Sequence, residues 1–341
     1  MFINIKMSRG STRRKNAAQI NLTCEQVLSA EFYKKIMPSL TFGDGAHINN
    51  LPHAHPPKSW KPTVCEQGVI DLQPVDVWGT HGYPKELFTK LSHALTRLKL
   101  YNLPIWLIGC SKEAQLLMRL IGAYVKAAVN KPGYENTGDY AIFHINTDAK
   151  GWVPHRDRDE LENALEPDGL PNYITAWMPI TDATPKSSCL YFIPRMYDST
   201  YDNRDGGDEY MKKLFATDEF YQNILSLPMT TGGLLCFTSR IIHWGSKPLP
   251  PIKGSKVKYT PRQAISVTVA NRKFEKVALA REGASEFPTF LESVLLAISQ
   301  ALRYNHQNPI SKEHQNCFKK ILKNNLDSFE TAHRKIIEDL L

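Results

Sequence analysis

The segment Gly151-Trp-Val-Pro-His-Arg-Asp157 carries the pattern that decides the fold. In an extended segment, residues two apart point to the same side, so His155 and Asp157 can reach one ion while Arg156 points away. A second imidazole, His243, lies far downstream in the chain. Two histidines and one carboxylate are the facial triad that binds Fe(II) and leaves positions open for substrate and O2. The pattern therefore predicts a metal site formed by His155, Asp157 and His243.

Two alternatives to this interpretation stay open. The run Arg156-Asp-Arg-Asp-Glu160 alternates in charge, as a solvated surface turn does. Asp159 also lies an even number of residues from His155 and is a rival carboxylate ligand. A His-x-Asp spacing arises easily by chance in a chain with 11 histidines. The segments around the motif therefore carry more weight than the spacing itself.

Short apolar stretches separated by glycine, proline and aspartate surround the motif, as is typical of strands. They predict strands over residues 140–146, 173–180, 189–194, 234–238 and 263–270. Amphipathic patterns predict helices over residues 84–100, 111–130, 288–304 and 315–340, with Ser111 as an N-cap. Short strands that carry the candidate ligands favour a β-sandwich or jelly roll, with the helices buttressing it.

The order of these segments resembles phytanoyl-CoA dioxygenase-like proteins. The matching pieces are Gly151-Trp-Val-Pro-His-Arg-Asp157, Trp177-Met-Pro-Ile-Thr-Asp182, Ser188-Cys-Leu-Tyr-Phe-Ile-Pro194, Gly232-Gly-Leu-Leu-Cys-Phe237, His243 and Arg262-Gln-Ala-Ile-Ser266. The resemblance extends over about residues 134–275. It implies an α+β fold, a double-stranded β-helix (jelly roll, cupin-like) buttressed by helices and followed by a C-terminal helical extension.

The resemblance also implies roles for individual residues. His155, Asp157 and His243 would hold Fe(II). Arg262 would pair with the distal carboxylate of 2-oxoglutarate, which suits the fork of a guanidinium. Trp177 would lie beside the cosubstrate on a neighbouring strand. Ordinary core packing is the alternative for Trp177.

Three further positions qualify these roles. Ser266 shares strand parity with Arg262 and could bind the same carboxylate, or could simply lie on a polar strand face. The loop between His243 and Arg262 is longer than the family leads one to expect, which leaves Lys256 or Lys258 as alternative carboxylate partners.

The expected function is an Fe(II)/2-oxoglutarate-dependent dioxygenase that hydroxylates a small organic or lipid-like substrate. It would consume O2 and release succinate and CO2, with ascorbate as the reductant in assays. A carboxylate at Asp157 favours hydroxylation, since halogenation would need a small residue there. The alternatives are a non-catalytic β-sandwich that binds a ligand and a nucleic-acid-modifying oxygenase. Residues 198–228 form a polar excursion, with a helix expected from Glu209 to Leu227, which is either a lid or a surface loop.

Charge separates the N-terminus from the rest of the chain. The 341 residues carry a formal charge of +8, and residues 1–17 contribute five basic residues and no acid. The near balance elsewhere argues against a nucleic-acid partner. We expect a disordered basic tail over 1–17, an oxygenase domain over 18–283 and a helical extension over 284–341.

The remaining expectations concern surroundings and partners. The six cysteines lack C-x-x-C spacing and no apolar run is long enough to span a membrane. We expect an intracellular, by default cytoplasmic, protein, with organelle targeting by the basic N-terminus as the alternative. The apolar stripe of the last helix packs on the core or forms a homodimer.

Overall fold

The structure is a computed structural model that describes residues 22–44, 54–158, 162–202, 215–216, 218–250, 260–279 and 287–341. The basic tail over 1–17 lies outside the described residues. So do the rival ligand Asp159 and the alternative carboxylate partners Lys256 and Lys258.

The helices flank the strands on the N-terminal and C-terminal sides. They are α1 (Cys24–Val27), α2 (Ala30–Ile36), α3 (Trp60–Gln67), α4 (Pro74–Trp78), α5 (Lys85–Leu100), α6 (Lys112–Val129), α7 (Asp218–Gln222), α8 (Phe290–Arg303), α9 (Lys312–Lys323) and α10 (Thr331–Leu340). The helices predicted over 84–100, 111–130 and 288–304 are confirmed as α5, α6 and α8. Ser111 caps α6 as expected, because its side chain accepts a hydrogen bond from the Ala114 N–H.

Two helix predictions are wrong in their extent. The single helix expected over 315–340 is divided into α9 and α10 by a 3-10 turn at Leu326–Ser328. The Asn325 side chain donates to the Ile321 carbonyl (2.8 Å), and such side-chain bonds compete with the helical backbone ladder. The helix expected to run to Leu227 ends at Gln222 within the described residues, since Leu225–Leu227 is a strand.

The strands form two antiparallel sheets. They are β1 (Val69–Leu72), β2 (Tyr134–Ile145), β3 (Tyr173–Pro179), β4 (Leu190–Ile193), β5 (Leu225–Leu227), β6 (Leu234–Thr238), β7 (Ile242–Gly245) and β8 (Arg262–Asn271). The order is β1-β6-β3-β8-β2 in the larger sheet and β5-β4-β7 in the smaller one. The five predicted strands are confirmed as β2, β3, β4, β6 and β8. Sequence reasoning missed the short strands β1, β5 and β7.

The larger sheet has two differently used faces. Alternate residues of a strand point to opposite faces. On one face, residues such as Ile174, Ala176 and Val267 join the main hydrophobic core with residues of the helices α5, α6 and α8. On the other face, Trp177 pairs directly with Ser266, and Thr175 pairs with Thr268. This second face faces the smaller sheet and carries the candidate site.

The C-terminal helices are built into the core of the same chain. Their stripe is buried: the members are Phe318, Ile321, Leu322, Phe329 and Ile337. The mixed fold with antiparallel sheets and C-terminal helices is thus confirmed. Closure into a double-stranded β-helix, the domain bounds and a homodimer stay predictions. None of the described helices is long and apolar enough to cross a membrane.

Candidate functional site

A docked loop brings His155 opposite His243. The His155 N–H donates to the His243 carbonyl (3.0 Å) and the His243 N–H donates to the His155 carbonyl (2.9 Å). The Trp152 N–H donates to the Gly245 carbonyl (2.9 Å) in the same way. Gly151 permits this close approach: its φ is +76°, and a Cβ there would lie 2.7 Å from the Gly245 oxygen. The loop is therefore fixed against β7 by its backbone.

The three predicted ligands come together at this point. The Nε2 atoms of His155 and His243 lie 3.8 Å and 3.5 Å from Asp157 Oδ1. One ligand atom from each residue lies within 4.8 Å of the others, so the group could hold a metal ion. Nδ1 of His155 lies 2.8 Å from the Val153 carbonyl and Nδ1 of His243 lies 3.2 Å from that of Ile241. These carbonyls favour a proton on Nδ1 and leave both Nε2 lone pairs for a metal.

The surroundings keep His243 in the form that binds a metal and fix the orientation of Asp157. His243 is buried, and its ring centroid lies 4.7 Å from that of Phe237 and 5.8 Å from that of Phe192. Burial lowers the pKa of His243 to about 4, although Asp157 opposes the shift. The ring is therefore neutral near pH 7, as a metal ligand must be. Thr175 donates its hydroxyl to Asp157 Oδ2 (2.8 Å), which leaves Oδ1 toward the histidines.

Arg156 points away from the triad, as the extended segment predicts. Its guanidinium is buried and donates to Asp198 Oδ2 (2.7 Å), Thr200 Oγ1 (2.8 Å) and the Arg240 carbonyl. The alternative of a solvated surface turn is wrong at this residue. The buried ion pair fixes the segment after β4, which contains Asp198, next to the loop that carries His155 and Asp157.

Arg262 lies in the same cavity together with Trp177 and Ser266. Its side chain is buried, its Nη1 donates to the Ser188 carbonyl (2.8 Å), and its guanidinium carbon lies 5.6 Å from the Trp177 ring centroid. Trp177, which lines the cavity, has a buried Nε1 atom without a hydrogen-bond partner among the described residues. Buried polar groups are rarely left unsatisfied in a complete structure. This end of the cavity is therefore suited to a polar ligand.

The cavity has a volume of about 640 Å³ and extends beyond the triad to a second polar cluster. There, Arg303 Nη1 donates to Asp139 Oδ2 (3.1 Å) and the Tyr304 hydroxyl donates to Asp139 Oδ1 (3.1 Å). Sequence reasoning missed these three residues. No local signal could have found them, because the strand β2 and the end of α8 are more than 160 residues apart in the chain.

Comparison with known proteins gives one family. Residues 105–248 match the model described as phytanoyl-CoA dioxygenase (PhyH), which confirms the resemblance found in the sequence. The matched range contains His155, Asp157 and His243 and ends before Arg262. Among curated proteins, none matches this chain.

Several solved structures are similar at low identity. HygX from Streptomyces hygroscopicus with iron bound is 14% identical, with 63% of this chain and 87% of that chain covered and a TM-score of 0.46. AviO1 from Streptomyces viridochromogenes is 16% identical (66% and 96% covered, TM-score 0.45). The non-heme alpha ketoglutarate dependent carbocyclase SnoK from nogalamycin biosynthesis is 15% identical (65% and 87% covered, TM-score 0.45). At this distance the likenesses establish neither a substrate nor a reaction for this chain.

Proposed function

We propose that this chain, whose residues 105–248 match the family model described as phytanoyl-CoA dioxygenase, is an Fe(II)/2-oxoglutarate-dependent oxygenase that hydroxylates a small organic molecule. The observation that carries the proposal is the convergence of His155, Asp157 and His243 on the wall of a cavity that also contains the buried Arg262. A cavity of about 640 Å³ is in the range of small-molecule sites.

The donor set fits Fe(II). Two imidazoles and one carboxylate are the ligands of non-haem iron oxygenases, and each of the three side chains here has an outer hydrogen-bond partner. His155, Asp157 and His243 would hold the ion. When bound, the metal together with 2-oxoglutarate and O2 supplies the oxidation, and succinate and CO2 are released.

The chain's own residues would bind the cosubstrate, orient the metal ligands and exclude water from the site. Arg262 would receive the distal carboxylate of 2-oxoglutarate in two parallel hydrogen bonds, with Ser266 beside it and the Trp177 indole N–H available as a further donor. Thr175 keeps the Asp157 carboxylate in one orientation through its hydroxyl. Phe237 packs against the His243 ring and excludes water from that side of the site.

The test compares wild type with Asp157→Ala and with the control Asp327→Ala, whose side chain is 97% exposed and outside the cavity. The first measurement is visible charge-transfer absorption on adding Fe(II) and 2-oxoglutarate without oxygen. The second is succinate formed from 2-oxoglutarate with O2 and ascorbate. We expect both in wild type and in Asp327→Ala, and at least a hundredfold less succinate in Asp157→Ala.

The absorption measurement also distinguishes the proposed oxygenase from the non-catalytic alternative. A wild-type protein that binds neither Fe(II) nor 2-oxoglutarate would contradict the proposal and favour a β-sandwich that binds another ligand. Binding of both in wild type, lost in Asp157→Ala, supports the cofactor chemistry even if succinate forms slowly without the substrate.

A further inference from the structure

The cavity is lined both by Arg262 and, at another part of its wall, by Asp139, Arg303 and Tyr304. Thr175 binds Asp157 and pairs with Thr268 on β8, so the triad lies at the level of that residue pair. Arg262 lies six residues before Thr268 on the same face of β8, and its guanidinium carbon is 5.6 Å from the ring of Trp177, which pairs with Ser266. If 2-oxoglutarate extends from the triad toward Arg262, the opposite part of the cavity remains for the substrate.

That opposite part is built around the Asp139 carboxylate. The carboxylate is mostly buried, with 11% of its side chain exposed, and both of its oxygens are occupied by Arg303 and Tyr304. Arg303 keeps 30% of its side chain exposed and lines the cavity. Within the described residues, its Nη2 and Nε atoms donate no hydrogen bond. The acid therefore holds the guanidinium from one side and leaves its remaining donors toward the cavity.

The wall of the cavity contains more arginines than acids. Among the described residues that line the cavity are four arginines (Arg156, Arg158, Arg262 and Arg303) and two aspartates (Asp139 and Asp157), and Arg156 and Arg158 are paired with Asp198 and Glu275 outside the lining. Both aspartates are already occupied, one by Arg303 and Tyr304 and the other by Thr175 and the triad. Both acids among the described lining residues thus already accept hydrogen bonds from the chain itself, whereas Arg303 can still donate.

We propose that Arg303 binds an anionic oxygen group of the substrate, a carboxylate or a phosphate, and that Asp139 and Tyr304 position its guanidinium. The inference rests on the proposed function, because that function assigns Arg262 to the cosubstrate. It makes Arg303 a specificity-determining residue and gives the helix α8 a part in the site. Charge-assisted bonds to a guanidinium fork are strong enough to select an acid over its neutral analogue.

The experiment measures binding of simple probes by calorimetry. The protein carries Mn(II) and saturating 2-oxoglutarate, and a parallel series uses metal-free protein. The probes are benzoate and inorganic phosphate, with benzamide as the neutral analogue of benzoate. Arg303→Gln is compared with Arg334→Gln, an arginine of α10 outside the cavity that pairs with Asp327. We expect benzoate or phosphate to bind equally well to wild type and to Arg334→Gln. The same anion should bind Arg303→Gln at least tenfold more weakly, and benzamide should bind wild type at least tenfold more weakly than that anion does.

The outcomes separate the two proposals. Equal binding of acid and amide, no binding of either anion, or full binding by Arg303→Gln would overturn the role of Arg303. A wild-type protein that does not load 2-oxoglutarate contradicts the proposed function, while the metal-free series still measures anion binding at Arg303. If Arg303→Gln melts early because Asp139 is left buried without its partner, Arg303→Lys keeps the charge and should bind the anion at least threefold more weakly. Whichever anion binds distinguishes a carboxylate from a phosphate.

Discussion

The two ends of the cavity are built in different ways. The Arg262 end (Arg262, Trp177 and Ser266) lies on two neighbouring strands, and the register of β3 and β8 fixes its residues relative to one another. The Arg303 end (Asp139, Arg303 and Tyr304) joins a strand to the end of a helix more than 160 residues later. The first end depends on backbone pairing and the second on how α8 packs into the core. A change to one end should therefore leave the other largely intact.

The largest effect is expected at the Arg262 end. Arg262→Lys keeps the charge but loses the fork, so we expect 2-oxoglutarate to bind about a hundredfold more weakly, a cost of about 2.7 kcal/mol. Titration of the charge-transfer absorption with 2-oxoglutarate measures the dissociation constant. Arg334→Lys is the matched control, because that arginine lies outside the cavity. An unchanged affinity of Arg262→Lys for 2-oxoglutarate would contradict the role of Arg262 and leave Lys256 or Lys258 as the carboxylate partner.

A smaller effect is expected in the loop that contains Gly151 and lies against β7. Gly151 and Gly169 have similar φ values, +76° and +79°, but only Gly151 has backbone atoms within 3 Å of an added Cβ. Gly169→Ala should lower the free energy of unfolding by about 1 kcal/mol, the strain of the left-handed region alone. Gly151→Ala should cost about 2 kcal/mol in total, because the loop must also leave the Gly245 carbonyl. Urea denaturation measures both.

The same pair of variants separates stability from function. Since the Gly151 loop positions His155, Gly151→Ala should also retain less iron after dialysis than Gly169→Ala does. Equal losses of stability in the two variants would mean that the close approach at Gly151 relaxes without cost. The contact between Gly151 and Gly245 would then not be what fixes the loop that carries His155.

The contrast between the ends also explains what the sequence could predict. His155 and Asp157 share one extended segment, and the parity of β8 correctly places Ser266 on the face of Arg262. The strand β7, which carries His243, has only four residues and no alternation long enough to recognise. The Arg303 end depends on tertiary packing between distant segments, which no local pattern encodes. The division between α9 and α10 was missed because the apolar stripe continues across it, while Asn325 donates its side chain to the Ile321 carbonyl where the helix ends.

The smallest effect is expected at the Arg303 end, where it tests whether the three side chains act as one network. Tyr304→Phe removes a hydrogen bond to a buried carboxylate and should cost about 1.5 kcal/mol of unfolding free energy. Tyr124→Phe, which removes a bond of equal length to the Asp76 carbonyl, is the control at about 1 kcal/mol.

Combined with Arg303→Lys, Tyr304→Phe should deviate from additivity by at least about 0.5 kcal/mol, whereas the losses of Tyr124→Phe and Arg303→Lys should simply add. Additive losses for both tyrosines would mean that Arg303 and Tyr304 contact Asp139 independently, and that Tyr304 does not position the guanidinium.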